Sequence, residues 1–198
     1  MVSEKAEATF PGKNGRIAYS ATDGNDLEIY TSNPNGSGKT KVTKNTKEDD
    51  TPAYSPNGKR IAYSSWDGHD QEIYTIKVGG GGKRKVTNND RNDFDPAYSP
   101  NGKRIAYTNY DGHDTEICTI KVGGGGKSRV TNDIKDEEEP SYSPNGKKIA
   151  YTGFKGLGTD EDEDFDHEIY TIKVGGGGKS HVTDTTYYAS YPSWGSRP

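Results

Sequence analysis

One cysteine, one methionine, two tryptophans and four phenylalanines are all that this 198-residue chain holds of those residue types. A lone Cys118 excludes an intrachain disulfide. Four scattered histidines beside that one thiol argue against a zinc site of Cys and His. No run approaches the ~18 apolar residues of a membrane-spanning helix. An excess of one charge is also missing: 26 Lys and Arg against 30 Asp and Glu leave a net charge of −4, so bulk charge points to no nucleic-acid partner. Hydrophobic residues make up only 27%, and a mean hydropathy of −1.09 taken alone leans toward disorder.

Internal repetition overrules that lean. PAYSPNGKRIAY at Pro52 to Tyr63 returns at Pro96 to Tyr107 and, as PSYSPNGKKIAY, at Pro140 to Tyr151, a period of 44 residues. A diverged copy precedes them, with Arg16 to Tyr19 standing for Arg60 to Tyr63. Each copy continues through an Asp-Gly loop, an EIYTIKV run, a GGGGK turn and a short VTN run. Apolar residues recur at fixed places (Ile61, Tyr63, Ile73, Ile76, Val86), and they are the β-branched and aromatic types that suit strands. Tyr supplies 14 of the aromatics, so the core is expected to rest on Tyr and Ile. Cys118 stands where the other copies have Tyr30, Tyr74 and Tyr170, and reads as a drifted strand residue. The glycine run before Lys recurs as a hairpin turn with no helix after it, which sets aside a phosphate-binding loop.

Four short strands in 44 residues make one propeller blade. The hallmark Tyr-Ser-Pro-Asn-Gly-Lys, at Tyr54 to Lys59, Tyr98 to Lys103 and Tyr142 to Lys147, followed by EIYTIKVGGGGK and VTN, resembles the TolB-like β-propeller repeat. That resemblance implies an all-β propeller of the kind found in periplasmic and secreted bacterial proteins. The expected architecture is a single propeller of four blades of four antiparallel strands over residues 9–198, with repeats at 9–51, 52–95, 96–139 and 140–191. A disordered segment, 1–8, precedes it. Ser190 to Gly195 is expected as a lone strand that pairs with the first blade and closes the ring. Association of chains into a larger ring is the alternative. The start MVSEKAEATFPG lacks an apolar signal core, yet Ala6-Glu7-Ala8 looks like the end of a cleavage site, so an extracytoplasmic protein without its signal peptide is expected.

The loops sort the charge. In a blade, the loop from strand two to three and the link to the next blade open on one face, which here collects the Asp-Gly loops with Glu48 to Asp50, Asp90, Asp93, Asp95 and Asp136 to Glu139. The other face is expected to be basic, from Lys59, Arg60, Lys103, Arg104, Lys147 and Lys148 together with Lys83 to Lys85, Lys127, Arg129 and Lys179. Opposed faces of this kind steer partners and favour self-association by stacking.

Three repeated sets carry chemistry. Asp23, Asp26 and Glu28, then Asp67, Asp70 and Glu72, then Asp111, Asp114 and Glu116 offer hard oxygens at a spacing that Ca2+ accepts. In the fourth copy Asp164, Asp166 and Glu168 take these places, within an acidic insertion from Asp160 to Asp166. The plain alternative is that the Asp-Gly loops are hairpin turns whose carboxylates bond backbone N–H groups. Trp66, Tyr110 and Phe154 precede these loops and read either as a sugar-stacking platform or as packing between blades.

No nucleophile, base or triad departs from the repeat, so no catalytic residue is assigned. The sequence therefore reads as a non-enzymatic binding propeller with a Ca2+-binding acidic face and a protein or glycan ligand. A lectin is the alternative, and a polysaccharide hydrolase or lyase the more distant one.

Overall fold

A computed structural model of the chain describes residues 15–154, 167–184 and 188–195. The expected disordered segment 1–8 and the insertion with Asp164 and Asp166 lie outside the described residues. The rest forms four antiparallel sheets in sequence order. The first is β1 (Ile17–Thr22), β2 (Leu27–Ser32) and β3 (Thr40–Lys41). The second is β4 (Asp49–Tyr54), β5 (Arg60–Trp66), β6 (Gln71–Lys77) and β7 (Arg84–Lys85). The third is β8 (Asp93–Tyr98), β9 (Arg104–Tyr110), β10 (Thr115–Lys121) and β11 (Ser128–Arg129). The fourth is β12 (Glu137–Tyr142), β13 (Lys148–Phe154), β14 (His167–Lys173) and β15 (Ser180–His181). Each sheet is a meander of neighbouring strands, which is the blade that the repeat foretold.

The first strand of a repeat starts three residues earlier than the Pro-Ala-Tyr-Ser pattern marks, at Asp49, Asp93 and Glu137. A bulge then separates Asp50 from Ala53, and its equivalents follow in the next two blades. The residue on each bulge, Thr51, Asp95 or Glu139, has φ between 50° and 57°, and Tyr191 repeats this at 54°.

The core lies between blades rather than within them. Strands β5 and β9 are buried on both sides, so each blade shows a small-residue face to one neighbour and a Tyr-bearing face to the other. Ala62, Ile73 and Val86 of the second blade meet Tyr98, Ile105, Tyr107 and Ile120 of the third. Ala106, Ile117 and Val130 of the third meet Tyr142, Ile149, Tyr151 and Ile172 of the fourth. Ile29 and Val42 of the first meet Ile61, Tyr63 and Ile76 of the second. Alanine in the middle of each central strand is what gives the facing tyrosine room.

The two ends differ from this pattern. Ile17 occupies the position of the fully buried Ile61 and Ile105 but is 50% exposed, and Val182 occupies that of Val86 but is 58% exposed. Tyr191 to Gly195 forms no ladder with β1 among the described residues, so the expected ring closure by strand pairing is not made there. The segment instead follows the fourth blade inward: Tyr191 N donates to Glu139 Oε2 at 2.7 Å and Trp194 Nε1 to the Ser141 carbonyl at 3.1 Å. Among the described residues no helix is long and apolar enough to cross a membrane.

Candidate cation sites on the acidic face

Hydrogen bonds confirm which loops share an end of the blade. Trp66 N donates to the Glu48 carbonyl at 3.1 Å and Gln71 N to Asn92 Oδ1 at 2.9 Å, which ties the Asp-Gly loops to the inter-blade links. At the other end, Val78 N donates to the Lys59 carbonyl, which ties the GGGG turn to the Pro-Asn-Gly turn.

Each Asp-Gly loop brings its three acids together. The carboxylates of Asp23, Asp26 and Glu28 offer ligand atoms within 4.8 Å of one another, and so do those of Asp67, Asp70 and Glu72 and of Asp111, Asp114 and Glu116. The first Asp is the turn-former. Asp67 Oδ1 accepts from His69 N at 2.8 Å and Asp70 N at 3.3 Å, and Asp23 and Asp111 do the same in their loops. The last acid is anchored inside the blade: Glu28 Oε1 accepts from Asn45 N at 2.8 Å and Glu72 Oε1 from Asn89 N at 2.7 Å.

A cation already reaches into each set. Lys41 Nζ lies 2.5 Å from Asp23 and 2.9 Å from Glu28; Lys85 Nζ lies 2.7 Å from Asp67 and 3.2 Å from Glu72. Arg129 pairs with Asp111 and stands 3.5 Å from Glu116. In the fourth blade His181 faces Glu168 at 3.7 Å. This corrects the charge map: Lys85, Arg129 and Lys179 serve the acidic loops, not the basic face, since Lys179 Nζ contacts Asp133 at 2.8 Å and Glu137 at 3.2 Å. Lys41, Lys85 and Arg129 each stand 18 residues after the first Asp and one before a buried Val, a regularity that marks the position but not the direction of the side chain. Lys83 turns inward as well, with its ammonium 4.2 Å from the Tyr74 ring centre. Asp49, Asp93 and Glu137, expected on the surface, are fully buried at the strand starts, where Asn45 and Asn89 donate to the two aspartates at 2.7 and 2.8 Å.

The middle Asp is different. Asp26 is 8% and Asp70 5% exposed, and among the described residues neither oxygen of either carboxylate has a hydrogen-bond partner. Burial, with the neighbouring acids Asp23 and Glu28, raises the Asp26 carboxyl above its usual range. Asp70 is raised likewise by burial and by Glu72 and Asp67. The hydrogen bonds from Lys41 and the backbone hold Asp23 down at about 2, and those from Arg129 and the backbone do the same for Asp111. Three carboxylates and one ammonium leave two negative charges when all are ionised, one of them on the buried middle Asp, to which no described residue donates. The donor set fits one divalent ion: Ca2+ binds oxygens at roughly 2.3–2.6 Å, so ligands on opposite sides of it stand about 4.6–5.2 Å apart. Asp114, less buried and paired with an arginine-bearing set, fits less well.

On the same face, Asp50, Asp95, Glu139 and Tyr191 surround a cavity of about 680 Å3 walled by the first strands of the blades. Burial and the nearby Glu139, Glu138 and Asp50 raise Asp95 to about 7. Trp66 and Tyr110 stand half-exposed at the ends of their strands. Phe154 instead packs edge-on against His167, 4.1 Å between ring centres.

The likenesses to known proteins agree with this architecture. No curated protein matches the sequence. Among solved structures, a TolB-type protein of Agrobacterium tumefaciens is 23% identical with a TM-score of 0.74, over 83% of this chain and 59% of that one. TolB of Acinetobacter baumannii is 22% identical with a TM-score of 0.73, over 86% of this chain and 41% of that one. A chain of a nidogen–laminin complex is 13% identical, with a TM-score of 0.65 over 84% of this chain and 60% of that one. The chain thus spans less than two thirds of each of these proteins, and at such identity the likeness shows the fold. The TolB β-propeller domain profile matches residues 5–197, and by that match the chain belongs to the TolB β-propeller domain family.

Proposed function

We propose that this chain is a non-catalytic binding propeller whose acidic face takes up divalent cations, with Ca2+ preferred, and presents the loaded loops to a partner. The observation that carries the reading is the pair of buried, unpartnered carboxylates of Asp26 and Asp70. Asp23, Asp26 and Glu28 would hold one ion and Asp67, Asp70 and Glu72 another, with backbone carbonyls and water completing the ~6–8 oxygens Ca2+ takes. The bound ion supplies charge neutralisation to the loops, which fixes their conformation and removes the repulsion that a partner's acidic groups would meet. Shells with this few protein carboxylates belong to weak sites, of the ~10−4–10−3 M range seen in extracellular modules. That range suits the extracytoplasmic location which the family resemblance implies. Trp66 and Tyr110, half-exposed beside these loops, favour a glycan as the second candidate ligand.

The test is thermal unfolding of chelator-stripped protein with millimolar Ca2+ or Mg2+. A ligand of the folded state alone raises Tm by mass action. A Ca2+-selective rise supports the reading; equal curves in Ca2+, Mg2+ and chelator refute it.

A further inference from the structure

The opposite end of the molecule holds a second cavity, of about 690 Å3, that the cation reading leaves unused. Its wall is built from the Ser-Pro-Asn-Gly turns of three blades, with Arg60 on the rim and Tyr98 and Val122 beneath. The turns abut one another: a Cβ on Gly102 would stand 3.7 Å from the ring of Pro56, and one on Gly146 3.6 Å from that of Pro100. This volume lies within the ~300–1,000 Å3 of small-molecule sites.

The polar side chains of the lining present mainly donors. In each turn the Asn oxygen is engaged twice: Asn101 Oδ1 accepts from Ser99 Oγ at 2.9 Å and from Lys103 N at 3.0 Å, and Asn57 and Asn145 repeat both bonds. The Lys backbone N–H can only donate, which makes the atom it meets the amide oxygen, so every Nδ2 group carries its two hydrogens away from the turn. None of the three finds an acceptor among the described residues. The serine hydroxyls are spent as well, each donating to the Asn and accepting the backbone N–H at Arg60, Arg104 or Lys148. Among the described residues the Arg60 guanidinium bonds the Thr75 hydroxyl and the Thr75 and Gly82 carbonyls and meets no carboxylate. Lys59, Lys103 and Lys147, the residues after each turn glycine, are exposed, and no ion pair among the described residues involves them.

We propose that this cavity is a binding site for a small oxyanion, a carboxylate- or phosphate-bearing molecule, held by the Asn57, Asn101 and Asn145 amide groups within the field of Arg60 and the three lysines. Charge-assisted bonds to carboxylate or phosphate oxygen are stronger than neutral ones, and nothing acidic in these turns repels an anion. The turn does not itself require a carboxamide. An aspartate at the same position accepts both bonds equally well and keeps the fold, but presents a negative oxygen where the amide N–H2 stood.

That difference gives the experiment. The side-chain amide resonances of the three asparagines, and the backbone amide resonances of Gly58, Gly102 and Gly146 that the variants keep, are followed by 1H–15N NMR while inorganic phosphate, citrate or chloride is added at constant ionic strength. Saturable shifts at these asparagines with phosphate or citrate, absent with chloride, are expected, and the stronger of the two arms tells phosphate from carboxylate chemistry. The Asn57→Asp/Asn101→Asp/Asn145→Asp variant is expected to keep its Tm and to bind at least tenfold more weakly. Should it fail to fold, Lys59→Gln/Lys103→Gln/Lys147→Gln, which alters only exposed side chains, is expected to weaken binding several-fold. No saturable response in the parent protein, an equal response to chloride, or undiminished binding by the folded variant overturns the proposal.

Discussion

Lys85 Nζ lies 2.7 Å from Asp67 Oδ2, so an acidic loop that looks solitary in the sequence is answered by a cation of its own blade. The same ammonium is 3.2 Å from the fully buried Glu72. Lys85→Met leaves that carboxylate without its cation and is expected to cost about 2–4 kcal/mol of stability in chelator. On the cation reading, Ca2+ restores part of the loss, because it takes over the neutralising role. Urea unfolding of the variant with and without Ca2+ measures both effects; the exposed Lys59→Met, expected within about 0.5 kcal/mol of the parent, is the control.

Asp95 gives the acidic end a pH dependence of definite sign. Its carboxyl is raised to about 7 in the folded protein by burial and by Glu139, Glu138 and Asp50, against an unfolded value near the ordinary ~3.9. Between these values the folded state holds a proton that the unfolded state has lost, so this group's contribution to stability falls as pH rises from about 4 to 7. Asp95→Asn is expected to remove that slope and to stabilise the protein by about 1–2 kcal/mol at pH 8. Partial solvation of the Asp95 side chain screens the rest of the repulsion. Denaturation at several pH values checks it.

Cys118 has a physical reason for being there. In the other blades the tyrosine at this position stacks on its partner, as Tyr63 on Tyr74 at 6.0 Å and Tyr151 on Tyr170 at 5.7 Å. Beside Tyr170 stands Gly153, where even a Cβ would come within 3.1 Å of the ring. Ala21 and Ser65 hold that place beside Tyr30 and Tyr74, but the third blade has the larger Asn109, with Cys118 Sγ 3.9 Å from its oxygen, where a tyrosine would run into the amide. Cys118→Tyr alone is expected to destabilise by about 1–3 kcal/mol through overpacking. Adding Asn109→Gly is expected to recover most of that. Burial also pushes the Cys118 thiol up to about 11, so thiol reagents are expected to label it only on unfolding.

Ile17 and Ile105 hold the same repeat position with opposite burial, 50% and 0% exposed. Ile105→Ala is expected to cost about 2–5 kcal/mol and Ile17→Ala less than about 1 kcal/mol. Equal costs, measured by denaturant unfolding, would mean that the face around Ile17 is covered in solution, as a closed ring or a second chain would cover it.

The fold was legible because three near-identical copies fix the period, and because Ile61, Tyr63 and Ile73 recur at strand spacing. The start of the first strand was not. Asp49 and Asp50 are poor strand formers that pair only because β5 lies alongside, and the bulge at Thr51 breaks the alternation that would mark them. The acidic sets were visible as spacing, and the turn role of Asp23, Asp67 and Asp111 with it. The direction of Lys85 was not, since it follows from the pairing of Lys85 with Tyr74 across a two-residue strand. Nor could spacing tell Asp67 from Asp70: one is satisfied by its own turn, while the other is buried by the fold and left without a donor.

The central claim is that Asp26 and Asp70 mark cation sites, and equilibrium dialysis of chelator-stripped protein against Ca2+ tests it most directly, with Asp26→Asn/Asp70→Asn alongside. Saturable binding of about two ions per chain, lost in the double variant while its fold persists, is the predicted result. Absence of saturable binding, or binding equal in the parent and the folded double variant, would contradict the account.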